Sequence, residues 1–202
     1  MKRRLILGGV CASTLVLAAC AGNPAPSTRW YELRSEPPAP RPAPRPGDGA
    51  VWEVASAVDM PGSLDRDTLM VASGAAGLQP LTGHRWAEPL RDSIPRLLAS
   101  DLALLRGEGL VWRAPAPGGV AVGRRLRVEI VTLMADAAQR TLRLQARWSL
   151  TGVGVGAGAA APVLGAADFN VDLSDASPDA LAAAHRVALW QLAMRVAGSG
   201  PV

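Results

Sequence analysis

The stretch Arg125–Leu150, RLRVEIVTLMADAAQRTLRLQARWSL, decides the fold. Leu126, Val128 and Ile130 alternate with Arg127 and Glu129. Leu142, Leu144, Ala146, Trp148 and Leu150 alternate with Arg143, Gln145, Arg147 and Ser149. A period of two means one buried face and one wet face, so Arg125–Leu133 and Thr141–Leu150 are predicted strands. Ala135-Asp136-Ala137-Ala138-Gln139 joins them as a hairpin.

Helices are predicted on both sides of this hairpin. Before it, Leu90, Ile94, Leu97, Leu98, Asp101, Leu102 and Leu105 recur every three or four residues within Glu88–Arg106. Pro89 suits an early helical position, Pro95 moves the expected start toward Ser93, and Gly107 and Gly109 end the helix. Arg91, Arg96 and Arg106 are read as its polar surface. After the hairpin, Ser177-Pro178-Asp179 is a capping side chain, a proline and an acid at the positive end of a helix dipole. Leu181, Ala184, Ala188, Leu192 and Val196 mark the packing face of that helix. Short strands are expected at Arg29–Arg34, Val51–Val58 and Leu69–Ala72, with a loop or hairpin at Gly74–Gly83 and a further strand at Val163–Leu173. The pattern predicts an α+β layer fold: a mostly antiparallel sheet with two main helices packed on one face.

The N-terminus carries different information. Met1-Lys2-Arg3-Arg4 is cationic, Leu5–Leu17 is apolar, and Leu17-Ala18-Ala19-Cys20 closes the segment. This is the arrangement of a secretory signal, and it is too short to span a bilayer. Leu-Ala-Ala-Cys resembles the lipobox of bacterial lipoproteins, which implies cleavage before Cys20 and lipid on its thiol. Two or three acyl chains make a durable anchor, whereas one binds only marginally. Ala21, rather than Asp, implies onward sorting to the outer membrane by resemblance to enteric lipoproteins.

Removing residues 1–19 of 202 discards Lys2, Arg3 and Arg4, leaving eighteen of the 21 basic residues against 17 acidic ones. That near balance gives no basic face for nucleic acid. Cys11 falls in the discarded segment, so no internal disulfide is available. The mature chain divides into a lipidated tether at 20–28 and a single domain at 29–198. The domain contains a proline-rich loop at 35–50, read as a spacer.

Catalytic readings fail on residue supply. A serine hydrolase needs a base beside its nucleophile; only His84 and His185 are available, no Gly-x-Ser-x-Gly elbow occurs, and His185 reads as a partly exposed helix residue. Two distant histidines and no free cysteine make no zinc site. Gly152–Gly158 lacks the following helix of a dinucleotide loop and reads as a flexible connection. No metal or cofactor is expected beyond the covalent lipid on Cys20. Trp148 and Trp190 are expected in the core; Trp52, Trp86 and Trp112 stay unassigned.

Two motifs complete the reading. Pro61-Gly62-Ser63-Leu64-Asp65-Arg66 follows the second expected strand, Val51–Val58, and Trp86-Ala87-Glu88-Pro89-Leu90 leads into the first helix. With the lipobox, the Tyr31–Leu33 strand and the C-terminal helix, they resemble the paraquat-inducible protein C (PqiC-like) family of ABC-type transport auxiliary lipoproteins. Asp67-Thr68 departs from the Pro and Gln that often follow Leu-Asp-Arg in that family. The resemblance implies a non-enzymatic periplasmic lipoprotein on the outer membrane. It would serve intermembrane lipid transport beside an MCE-domain (mammalian cell entry) protein, with homo-oligomerisation compatible but not demonstrated by any sequence feature. The alternative is an independent lipid-binding carrier. Pro61, Leu64, Asp65, Arg66, Trp86, Glu88, Pro89 and Leu90 are read first as fold determinants and second as partner contacts.

Overall fold

The computed structural model describes residues 27–34, 36–38, 42–45, 47–154 and 161–200. The signal segment, Cys20, most of the tether, parts of the proline-rich loop and the centre of the Gly/Ala loop lie outside the described residues.

The elements run β1 (Arg29–Tyr31), β2 (Trp52–Val54), β3 (Thr68–Ser73), β4 (Gly77–Trp86), α1 (Leu90–Arg106), β5 (Val111–Arg113), β6 (Arg124–Asp136), β7 (Thr141–Gly152), β8 (Val163–Asp172) and α2 (Pro178–Gly198). β6, β7 and β8 form an antiparallel meander, as the alternating sequence predicts. On its other side β6 is shared. Its first residues pair in parallel with β2, which pairs with β5, and its last residues pair in parallel with β3. Between them Asp59 makes a lone bridge to Glu129. The sheet therefore splits into two arms: β2–β5, and β3–β4–β1.

This corrects the expectation of a mostly antiparallel sheet. The sheet is mixed, because the short strands β1, β2, β3 and β5 all take a parallel partner. Three-residue strands carry too little alternation to announce their direction, and β5 gave no signal at all. The expected strand over Val51–Val58 is paired only at Trp52–Val54. Gly74–Gly83 is a hairpin in which β4 pairs antiparallel with β3.

The long strands obey their patterns. Leu126, Val128 and Ile130 are buried, and a bulge between Ile130 and Thr132 then moves the inward face to Leu133 and Ala135. Leu142, Leu144, Ala146, Trp148 and Leu150 are all buried. Gly165 lies under the Trp148 indole, where an added Cβ would sit 2.3 Å from the ring. The indole N–H donates to Ser199 Oγ at 3.0 Å.

Both helices cover this inner face. α1 starts at Leu90, not near Ser93, because the Pro89 carbonyl accepts the amides of Asp92 and Ser93 and the Ser93 hydroxyl. Pro95 is accommodated inside it. Its missing N–H frees the Arg91 carbonyl, which accepts instead from the Val58 amide at 3.5 Å. α2 begins as predicted, with the Ser177 hydroxyl accepting from the Ala180 amide. It is buried further round than a one-sided helix, including His185, Arg186, Leu189 and Trp190, because α1 and the sheet press on it from two directions. Among the described residues no helix is long and apolar enough to cross a membrane.

Candidate partner-docking surface

The two sequence motifs meet at one corner. The Pro61 carbonyl accepts the amides of Leu64 and Asp65, closing a turn that buries Leu64. Asp65 accepts from Arg91 Nε at 2.8 Å, which ties this turn to α1. Arg66 is exposed. Trp86 ends β4; its amide donates to the Asp67 carbonyl at 2.6 Å, and Ala87 donates to Tyr31. The Trp86 ring is buried edge-on against the His185 ring, with centroids 5.1 Å apart. Glu88 lies just before the helix, where it accepts from Arg96 at 2.5 Å, and Leu90 is buried. Six of the eight motif residues thus serve the join between β-arm and helix. The Arg66 side chain stays outside that join, and the Pro61 and Pro89 rings are exposed.

The candidate catalytic bases are structural. His84 Nδ1 shares a hydrogen bond with the Tyr31 hydroxyl at 2.8 Å. His185, expected to be partly exposed, is 4% exposed, and its Nδ1 bonds the Leu181 carbonyl at 2.8 Å. Burial depresses its pKa to about 4, so the ring is neutral at pH 7. No group of three His, Cys, Asp or Glu side chains suited to a metal occurs among the described residues.

Buried charge is concentrated under the helices. Asp101 on α1 accepts two bonds from Arg186 on α2, at 2.7 and 3.0 Å. Its carboxyl is nevertheless pushed up to about 6, because burial outweighs the arginine. Arg106, read from sequence as surface, is 1% exposed. It lies at the last turn of α1, stacks on the Trp52 ring at 3.8 Å, and donates to the Ala50 carbonyl and to Asp48. Asp48 also accepts from Arg124. Burial raises the Asp48 carboxyl, but the bonds from the Ala50 amide, Arg124 and Arg106 outweigh it and hold it below the usual range. Glu53 accepts from the Ala116 amide and Arg125, which lower its pKa in turn. The β2–β5 arm is therefore cross-linked by ionic contacts around a buried indole.

The other arm has the opposite character. From Thr68 to Gly83 there is no charged side chain. Leu69 and Val71 are buried, but Gly77, Leu78, Gln79 and Pro80 are exposed, with Leu78 at 44%. β1 covers β4 only at His84–Trp86, so the outer edge of β4 from Gly77 to Gly83 has no strand beside it among the described residues. An uncharged surface with a free strand edge suits contact with another protein, since interface cores are depleted of charge. No sequence signal singled out this hairpin, although its charge-free run was visible. Two open clefts lie among the described residues: about 230 Å³ beside Pro42, Leu105, Met194 and Ala197, and about 280 Å³ beside Asp59, Arg127, Arg147 and Ser149.

Comparison with known proteins agrees with this architecture. One solved structure, of an uncharacterized protein, superposes with a TM-score of 0.65 at 14% identity, covering 85% of this chain and 97% of its own. Protein XCC0632 from Xanthomonas campestris, assigned to the DUF330 family model, superposes with a TM-score of 0.63 at 17% identity, covering 85% of this chain and 93% of its own. At such identities the likeness establishes the fold alone. None of the curated proteins matches the chain in sequence. The family model for the ABC-type transport auxiliary lipoprotein component matches residues 31–197. With the match running from β1 to the end of α2, the chain belongs to the ABC-type transport auxiliary lipoprotein family.

Proposed function

We propose that this protein is a non-enzymatic docking lipoprotein, anchored through lipid on Cys20 to the periplasmic face of the outer membrane. It serves an ABC-type system that moves lipid between the two membranes, and the uncharged β3–β4 hairpin receives an MCE-domain protein of that system. The observation that carries this reading is the contrast between a core that buries paired charges and a hairpin that exposes Leu78 without any charge nearby in sequence. Surfaces that must stay free in water are charged and patch-free; surfaces that meet a partner are not.

The carrier alternative is less well supported. Ligand pockets are usually about 300–1,000 Å³ and enclose most of their ligand. The open clefts of about 230 and 280 Å³ are smaller than a two-chain lipid requires. Self-assembly into a collar is compatible with the same hairpin.

The test is a cross-linked pull-down of tagged protein from detergent-solubilised envelopes, with Cys20→Ala as the unanchored control. Recovery of an MCE-domain protein with the wild type supports the docking reading. Recovery of stoichiometric phospholipid without such a partner supports the carrier instead.

A further inference from the structure

β1 has an outward-facing residue that the fold does not use. Trp30 is 62% exposed, whereas Tyr31 beside it is buried and bonded to His84. Trp30 pairs with Arg85 across β1 and β4, and Arg85 is itself paired with Asp67, so the indole has no charge of its own to satisfy. Arg29, next to it, forms only a long contact of 3.5 Å with Asp179, both side chains being exposed. An indole costs little to hold in one place and is apolar over most of its surface, so leaving it in water is unfavourable.

The position of Trp30 along the chain identifies what covers it. Ser27 lies against Gly83, at the base of β4. Seven residue steps separate Cys20 from Ser27, a reach of about 25 Å at most whatever path the chain takes. A lipid on Cys20 therefore holds a bilayer surface close to this corner. Trp30, three residues on from Ser27, is the exposed large apolar side chain nearest to the anchor along the chain, and Arg29 beside it carries a long apolar stem with a charged tip. Tryptophan and arginine are the residues that settle at the headgroup level of a bilayer, with the ring or stem inward and the polar end in the wet layer. A contact this small would not hold a free protein to a membrane. The anchor changes that, because it makes the contact intramolecular and raises the effective concentration of the surface.

We infer that Trp30, with Arg29, seats the anchored domain on the headgroup layer of the bilayer that holds its lipid, and so fixes which way the domain faces. This rests on the Cys20 anchor of the proposed function. The exposed tip at Leu78 lies roughly 20 Å along β4 from the Trp30 corner, so the two exposed side chains are separate places on one strand.

The experiment uses the mature lipidated full chain, reconstituted in phosphatidylethanolamine–phosphatidylglycerol vesicles, either plain or brominated on the acyl chains. Trp30→Phe serves as the optically silent reference, so that the difference between wild type and variant isolates the Trp30 emission from the other tryptophans. The expected result is a blue-shifted difference spectrum that loses about half or more of its intensity in brominated vesicles, as for an indole at the interface. A difference spectrum that is red-shifted and equally bright in both vesicles would overturn the seating. Flotation of the same samples separates the two ideas. If wild type floats and Cys20→Ala does not, a negative quenching result removes the seating and leaves the anchor. If wild type itself fails to float, the anchor fails and the seating fails with it.

Discussion

The two arms of the split sheet use their residues in opposite ways. The β2–β5 arm buries charge: Arg106 and Arg124 converge on Asp48, Arg106 lies on the Trp52 ring, and Glu53 holds Arg125 and the Ala116 amide. The β3–β4–β1 arm exposes apolar surface at Trp30 and Leu78, more fully than the β2–β5 arm does at Trp112, whose indole N–H is bonded to the Gly109 carbonyl. Burying charge is expensive unless every group is paired, so a chain that does so binds its residues to one geometry. Exposing apolar surface is also unfavourable, and it is tolerated where something covers it. The comparison assigns fold maintenance to the first arm and contact to the second.

The largest expected effect lies in the ionic arm. Arg106→Ala removes the stack on Trp52 and leaves Asp48 with Arg124 and the Ala50 amide alone, and it should cost about 4 kcal/mol in urea unfolding. Arg106→Met, which keeps the apolar stem, should recover a substantial part. If both variants melt like wild type, the ionic arm does not maintain the fold. Next, Trp86→Ala should lower stability by about 3 kcal/mol, because the ring is buried against His185 at the base of the contact arm. An unchanged melting curve would mean that the contact arm is not fixed to the helices through that ring.

A smaller effect depends on pH. His185 has its folded pKa depressed to about 4 from 6.5, so the unfolded chain binds more protons between those values. The stability that neutral His185 contributes is complete above about pH 6.5 and is lost as pH falls through 4, by at most about 3 kcal/mol. Asp101, raised to about 6, acts in the opposite sense, since its folded form binds the extra proton from about pH 4 to 6. The difference between wild type and His185→Gln isolates the histidine: the variant should lose less stability on acidification. Equal loss in both would show that His185 does not titrate as a buried neutral ring. Smallest in stability is Leu78→Ser, within about 0.5 kcal/mol of wild type because the side chain is exposed. The same change should cut partner recovery severalfold, and this separation of stability from binding is what distinguishes the contact arm from the ionic one.

Much of the fold was legible because long elements repeat their signal. β6, β7, α1 and α2 each carry enough periodic positions to reveal both type and buried face, and the α1 pattern even included Asp101 among its inward residues. β1, β2 and β5 carry three positions each and β3 pairs with β6 through two residues, so the split of the sheet stayed hidden. Arg106 and His185 were misjudged for one reason: polar residues are ordinarily exposed, and only their partners (Asp48 and Trp52 for one, Trp86 and the Leu181 carbonyl of its own helix for the other) make burial tolerable. A Pro-led turn has local chemistry, so the turn at Pro61 was legible. The exposure of the β3–β4 hairpin was not, because a charge-free run looks the same whether it is buried or offered to a partner.

The most direct test of the docking account is photo-crosslinking in intact envelopes, with a photoreactive residue placed at Leu78 and, as the comparison, at the still more exposed Leu164 on β8. The account predicts an adduct with an MCE-domain protein from position 78 and none from position 164. An adduct with that protein from position 164 alone would contradict the assignment of the β3–β4 hairpin as the contact arm.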